Sequence, residues 1–502
     1  MEADSNSSSL HIVLFPWLAF GHMHPFLELA KSLASRGHRI TFISTPRNIQ
    51  RLPSIPSHLS SLITFVPLTL PRVEPLPENA ESTSDISQGL VPNLEKAFDG
   101  LSTPFLDFLK SVCSDRKTKP DWIIMDLHHH WLPRIAQDFC VPCAMFYVSL
   151  ASSMVFIGHG SSKKGVLRTE LEHFTRPPIW IPFPSNLALR PHEARWFVSC
   201  NRENESDISV VQRVSSTIAG SKFIGIRSCF ELESKWLSIL PELFTQDVVP
   251  LGLLPPPAEE FCSARESRGG EHVIDWLNKH PPKSILYIAL GSEATLSSEL
   301  LHQLALGLER SRVPFLWALR KPAGMVGAAT DILPAGFEER IKGFGHVEWG
   351  WVPQMRILAH TSVGGFLTHC GPSSVIESLQ FGHPLILLPL IIDQGLIARV
   401  LEERGVGVEV PRDPETGEFD QEGVARVVRF VMVEEDGKLI RRNAEKIQPI
   451  FTDKISQEKH LDGFIKHLEK YRKQQLGQLY RNEIQRILTA IISSPNRSVL
   501  GS

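Results

Sequence analysis

Residues Trp351 to Gln394 read WVPQMRILAHTSVGGFLTHCGPSSVIESLQFGHPLILLPLIIDQ, and their order of strand, turn and helix decides the fold. The apolar run Val363 to Thr368 predicts a buried strand that ends in His369-Cys370-Gly371, where the backbone must open. A helix is expected at once. Pro372 has its φ preset for the first helical position, and Ser373 and Ser374 put hydroxyls beside the unpaired N–H groups of the first turn. A phosphate seated there would meet backbone N–H groups, the positive end of the helix dipole, two hydroxyls and a donor from His369. One turn deeper, the Glu377 carboxylate can accept a forked pair of hydrogen bonds from sugar hydroxyls. A second apolar run, Leu385 to Pro389, leads to Asp393-Gln394 at another strand's carboxyl end, where ligands of open α/β sheets sit. With Trp351 as a flat face at the start, the order is ring, ribose, phosphate, sugar. That is the anatomy of a nucleotide sugar.

Upstream of this stretch the alternation of strand and helix continues. Ile285 to Leu290 predicts a strand opening into Gly291-Ser292-Glu293, where a glycine lets backbone approach a phosphate and the Ser292 hydroxyl can donate. Val273 to Leu277 and Ser297 to Arg310 predict helices, Phe315 to Leu319 a strand, and Leu333 to Arg340 a turn and helix. Farther back, Val248 to Glu260 (VVPLGLLPPPAEE) has three consecutive prolines and predicts a stiff, extended connector. Before it, Leu10 to Phe15 predicts a buried strand and Pro16 to His24 a loop. A helix is then expected to start at Pro25, with Phe26, Leu29, Ala30 and Leu33 on one face and Gly37 closing it. Arg39 to Ser44 completes a βαβ unit. The expected organisation is an α/β protein with two doubly wound, Rossmann-like domains facing a cleft. The domains are residues 1–247 for one substrate and 261–457 for the nucleotide sugar, joined by a linker over 248–260. A charged helix over 458–475 and a tail over 476–502 follow; for the tail's amphipathic piece, docking and disorder are both open.

The first loop carries no GxGxxG or GxxxxGK[ST]. It carries Gly21-His22. A histidine at a strand's carboxyl edge can serve as general base, since its ordinary pKa lies near neutrality. The apolar strand Trp122 to Met125 ends in Asp126, whose carboxylate could hold the imidazole tautomer and stabilise its protonated form. His24 beside His22, and the run His128-His129-His130, raise the question of a metal. In an extended segment only His128 and His130 share a face, and no cysteine or carboxylate set completes a tetrahedral site, so no metal is expected. The three histidines are read as lining the pocket beside Asp126, or as polar loop. The irregular segments Gln50 to Gly100 and Ser149 to Arg195 are expected to form a substrate wall. Trp17, Phe20, Met145, Phe146, Trp196 and Phe197 are apolar contacts to be weighed against a plain role in the core.

Bulk properties narrow the partners. A net charge of −3 with 21% charged residues gives no basic field for nucleic acid or membrane phosphates. No window offers the ~20 apolar residues of a membrane helix, and the start MEADSNSSSL lacks the basic segment of a secretory leader. Seven cysteines, an odd and scattered set, fit a reducing cytoplasm better than a disulfide framework. Cys140-Val-Pro-Cys143 follows a helix end instead of opening one, which favours packing over redox chemistry. A monomer acting on small molecules is the expectation.

The stretch Trp351 to Gln394 resembles the signature box of the plant family 1, secondary-metabolite UDP-glycosyltransferases, which also runs from a Trp to a Gln over the same length. The resemblance implies the GT-B arrangement, with the charged helix over 458–475 crossing back to the first domain. It also implies that Trp351 stacks on uracil, Val352 bonds the base through its backbone, and Gln354 and Glu377 hold the ribose. His369, Gly371 and Ser374 would meet the phosphates with the Gly291-Ser292 loop opposite, and Asp393 and Gln394 would hold the transferred sugar. Gly21-His22 and Asp126 match the family's base and its orienting carboxylate. The likeness extends through PFLELAKSLASRGH, STPRNIQRLP, LPENAESTSD and WIPFPSNLALRPHEA. At two positions the chain departs: Pro372 stands where the family usually has Trp, and Ser373 where Asn is usual. The departures bear on the donor-sugar contact at that corner.

The implied chemistry is an inverting transfer from a UDP-sugar without a metal, with His22 taking the acceptor's proton. Phe20, His24, His128, Phe146 and Trp196 are the candidate acceptor contacts. FPWLAFGHMHPFLELAKSL and ALGSEATLS look most like the subgroup that extends a sugar already carried by a flavonoid, terpenoid or steroid. UDP-glucose, UDP-rhamnose and UDP-xylose are the candidate donors, and Gln394 favours glucose by family association. A nicotinamide oxidoreductase would want a glycine fingerprint after the first strand, which is missing. A sugar-nucleotide-binding protein without activity is suggested by Pro372 and opposed by His22 and Asp126.

Overall fold

The computed structural model describes residues 9–158, 168–257, 270–293, 296–320 and 332–493, with side chains as far as 474. Two parallel sheets organise it. The first contains β1 (His11–Phe15), β2 (Arg39–Ser44), β3 (Ile63–Pro67), β4 (Trp122–Met125), β5 (Cys143–Tyr147), β6 (Phe223–Ile226) and β7 (Asp247–Pro250), in the order β3-β2-β1-β4-β5-β6-β7. The second contains β8 (Ile285–Ala289), β9 (Phe315–Leu319), β10 (Gly345–Trp349), β11 (Val363–Thr368), β12 (Leu385–Leu387) and β13 (Gly407–Glu409), in the order β10-β9-β8-β11-β12-β13. The central strands are fully buried, as continuous apolar runs such as HIVLF, WIIM and ILYIA require when helices cover both faces.

Each sheet reverses its strand order at one place, between β1 and β4 in the first and between β8 and β11 in the second. A crevice opens at such a reversal, because the connecting helices leave toward opposite faces. The loops at the carboxyl ends of these four strands lead to His22, Asp126, Ser292 and His369. The two crevices share one cleft of about 1050 Å³, lined by residues from both halves.

Three expectations about elements are corrected. The helix expected at Pro25 begins at Phe20 and runs to Ala34, with Pro25 inside it. Pro25 withdraws only the bond to the Gly21 carbonyl, in the second turn, so the helix persists and His22 lies in its first turn. Val248 to Pro250, expected to open the linker, pairs in parallel with β6 as β7. An extended, β-branched segment satisfies both descriptions, and its proline falls at the end of an edge strand. Residues 258–260 of that linker lie outside the described residues. The last helix spans Lys454–Ser493 without a break and so includes much of the expected tail. Leu461, Phe464, Ile465 and Leu468 on it pack into the core beneath the first sheet, and Trp122 Nε1 donates to the Leu468 carbonyl at 3.2 Å. Among the described residues no helix is long and apolar enough to cross a membrane.

Candidate active site

His22 and Asp126 meet because β1 and β4 are neighbours with Phe15 beside Met125, so the residues leaving both strands emerge together. Their ring nitrogen and carboxylate, Nδ1 and Oδ2, are 2.8 Å apart. Asp126 is wholly buried and also accepts from the Trp17 N–H at 3.0 Å and the Leu127 N–H at 2.7 Å. Burial disfavours its charge, but His22 and the two backbone donors win and hold the carboxyl below its usual range. Burial likewise opposes protonation of His22. The charge and hydrogen bond of Asp126 outweigh it, helped by Glu293 and Asp393, and the imidazole pKa is raised. Asp126 fixes the proton on Nδ1, so Nε2 is the atom left to accept one.

Across the cleft, Trp351 is 65% exposed and offers a bare indole face to a flat ring. Val352 beside it is buried and lines the cleft. Gln354 Nε2 donates to Glu377 at 2.7 Å and the Tyr287 hydroxyl donates to Gln354 Oε1 at 3.2 Å, so the two residues expected to hold a ribose are joined to each other. Enclosure by protein raises the pKa of Glu377, against the opposing pull of Gln354 and Arg227. Ser292, Gly371, Ser373 and Ser374 all line the same wall. His369 is held between glycines: a Cβ on Gly291 would lie 2.7 Å from its Nε2 and one on Gly371 2.5 Å. Burial lowers the His369 pKa to about 4, so the ring is neutral and can donate only from the nitrogen carrying the proton.

Asp393 and Gln394 enter the cleft at the start of the helix Gln394–Glu403. Asp393 accepts from the Ser149 hydroxyl, which comes from the other half just beyond β5. Burial raises its pKa, opposed by that hydroxyl and by Ser153. Gln394 Oε1 takes the N–H groups of Leu390 at 2.9 Å and Ile391 at 3.0 Å, which fixes the amide and leaves Nε2 for a ligand.

The acceptor side is partly as expected. Phe20, His24 and Trp196 line the cleft, with Met145, Phe197 and Ile218 extending an apolar wall. Phe146 does not. It is fully buried, 5.0 Å from the ring of Phe26, because successive residues of β5 face opposite ways and Met145 and Tyr147 take the cleft side. His128 is also displaced from its expected place. It stacks on Trp17 at 4.1 Å and pairs with Glu95 at 3.3 Å, outside the cleft lining. His129 is buried edge-on to Phe15 and bonds the Asp126 carbonyl at 3.0 Å, while His130 meets Arg213 at 3.0 Å. The three imidazoles thus serve three separate environments and not one pocket.

Sequence reasoning missed Arg227, Ser149 and Tyr287. Arg227 and Ser149 follow the apolar strands β6 and β5, so the rule that singled out Asp126 applies to them equally.

Comparison with known proteins bears on the family and the fold. Residues 259–462 match the family described as UDP-glucoronosyl and UDP-glucosyl transferase. UDP-glycosyltransferase 91B1 of Arabidopsis thaliana is 43% identical over 467 residues, covering 92% of this chain and 97% of that one. Soyasaponin III rhamnosyltransferase of Glycine max is 38% identical, covering 94% and 98%. Among solved structures, Glycyrrhiza uralensis UGT73P12 complexed with glycyrrhetinic acid 3-O-monoglucuronide superposes with a TM-score of 0.76 at 21% identity, covering 95% of this chain and 99% of that one. With two switch-point crevices facing one cleft and relatives similar over nearly their whole length, the chain belongs to the plant family 1 UDP-glycosyltransferases and has their GT-B fold.

Proposed function

We propose that this UDP-glycosyltransferase moves a sugar, with inversion, from its UDP carrier to a hydroxyl on the sugar of a terpenoid, steroid or flavonoid glycoside. The observation that carries the proposal is the meeting of the two halves: the Ser149 hydroxyl of the first donates to Asp393 of the second, and both line one cleft with His22. In this scheme His22 Nε2 removes the acceptor's proton as its oxygen attacks the anomeric carbon, and Asp126 stabilises the resulting imidazolium. UDP leaves from the opposite face. Its growing negative charge meets the first turn of the helix Pro372–Leu379, the Ser374 hydroxyl and Ser292, donors already in place before reaction. Asp393 and Gln394 hold the sugar's hydroxyls, and no metal ion takes part.

Two features favour a glycoside as acceptor. The cleft joins a polar floor at His22 to an apolar wall at Met145, Phe197 and Ile218, which suits a molecule with one sugar end and one hydrophobic end. A relative similar over nearly the whole chain is named for transfer to a saponin. Incubation with UDP-glucose, UDP-rhamnose and UDP-xylose, each against paired glycosides and aglycones, tests this by chromatography. Longer sugar chains are expected on glycosides, and products from aglycones alone would refute the acceptor assignment. His22→Ala should lower turnover by about 10²–10⁴-fold with UDP affinity unchanged. Full turnover in that variant would remove His22 from the role.

A further inference from the structure

Arg227 follows β6 at the carboxyl edge of the first sheet and is 2% exposed, yet it lines the cleft. Its guanidinium ties three parts of the molecule together. Nε donates to the Leu253 carbonyl at 2.7 Å and Nη2 to the Leu254 carbonyl at 3.3 Å, both in the connector between the halves. Nη1 donates to Ser373 Oγ at 2.8 Å, in the first turn of the donor helix. All three partners are neutral oxygens. Among the described residues no carboxylate forms an ion pair with Arg227; Glu377 and Glu28 act on it only at longer range. A buried cation without a counter-charge is costly to maintain. The cost is offset when an anion arrives, and the helix terminus that Arg227 touches is the one built to hold a phosphate. Ser373 supplies the hydroxyl that Arg227 binds, beside Pro372 at the start of the helix.

We infer that Arg227, supplied by the acceptor half, binds the diphosphate of the donor directly and neutralises it as the leaving group. The inference rests on the proposed donor site. Because the guanidinium also holds the connector, diphosphate binding and the relative position of the two halves are coupled through one side chain.

The test compares UDP with uridine by titration calorimetry, using direct binding for UDP and competition for uridine. Wild-type protein should prefer UDP strongly; if it does not bind UDP, the donor site itself is misassigned. Arg227→Met should lose on the order of tenfold or more in UDP affinity and none for uridine, so that the preference collapses. An unchanged ratio of the two affinities, or an equal loss in both, overturns the inference, because a purely structural residue does not distinguish diphosphate from nucleoside. Should Arg227→Met not fold, Arg227→Gln is neutral and its amide can still donate to the connector carbonyls. The same ratio then decides.

Discussion

His22 can act as a base only while neutral, so the environment that raises its pKa also sets the acid limit of activity. Asp126 is the main source of that rise, through charge and hydrogen bond together, against the burial that opposes it. The acid limb of kcat/KM should therefore lie above pH 6.5, the ordinary histidine value. Activity falls as pH drops through the raised pKa and the ring takes a proton. In Asp126→Asn the carboxylate charge vanishes while burial remains, so the limb should move to lower pH as the maximal rate falls. An acid limb at the same pH in both proteins would separate Asp126 from the base. This pair was legible in the sequence because each residue closely follows an apolar run, and topology alone brings such positions together. Phe146 and His128 were not legible. Whether a residue next to a strand end faces the cleft or the layer behind it depends on strand parity and on neighbours such as Trp17, which no local pattern reveals.

At the scale of elements, the donor box folded as its residue order implied, since Val363–Thr368 and the helix from Pro372 match expectation. The helix at Phe20 was misjudged because a proline was taken as a start, although a helix begun earlier tolerates it once the second turn is reached. The loop after β8 carries a feature that sequence only hinted at. Gly291 has φ +77°, which an L side chain rarely adopts, and its missing Cβ is the space that the His369 ring fills. Gly291→Ala therefore imposes two costs at one place: backbone strain of roughly 1–3 kcal/mol and displacement of the His369 imidazole from the wall proposed to hold the phosphates. UDP affinity should fall by tenfold or more, about 1.4 kcal/mol, with the overall fold retained by circular dichroism. Wild-type affinity in the alanine variant would mean that His369 does not need its present position.

Over the whole molecule, the two sheets are bound together by more than the connector. Leu150, Cys229 and Leu232 of the first half join the core under the second sheet. Arg399, just past the expected sugar-binding residues, pairs with Glu193 at 2.7 Å and with Glu409 at 3.1 Å, and Arg190 also pairs with Glu409. The last helix closes the arrangement by returning to the first sheet after the second is complete. Despite its charged composition it buries one apolar face: Phe464 is fully buried, 5.7 Å from the ring of Phe223 on β6. Ile455 on the same helix is 80% exposed. If the helix is part of the first domain's core, removing the buried ring leaves a cavity between it and the sheet. Phe464→Ala should then cost about 3–5 kcal/mol, seen as a lower urea midpoint. Ile455→Ala should stay within about 0.5 kcal/mol of wild type, since it gives up no packing. Equal midpoints for the two variants would mean that the returning helix is not docked, and that the first sheet's core is complete without its Leu461, Phe464, Ile465 and Leu468.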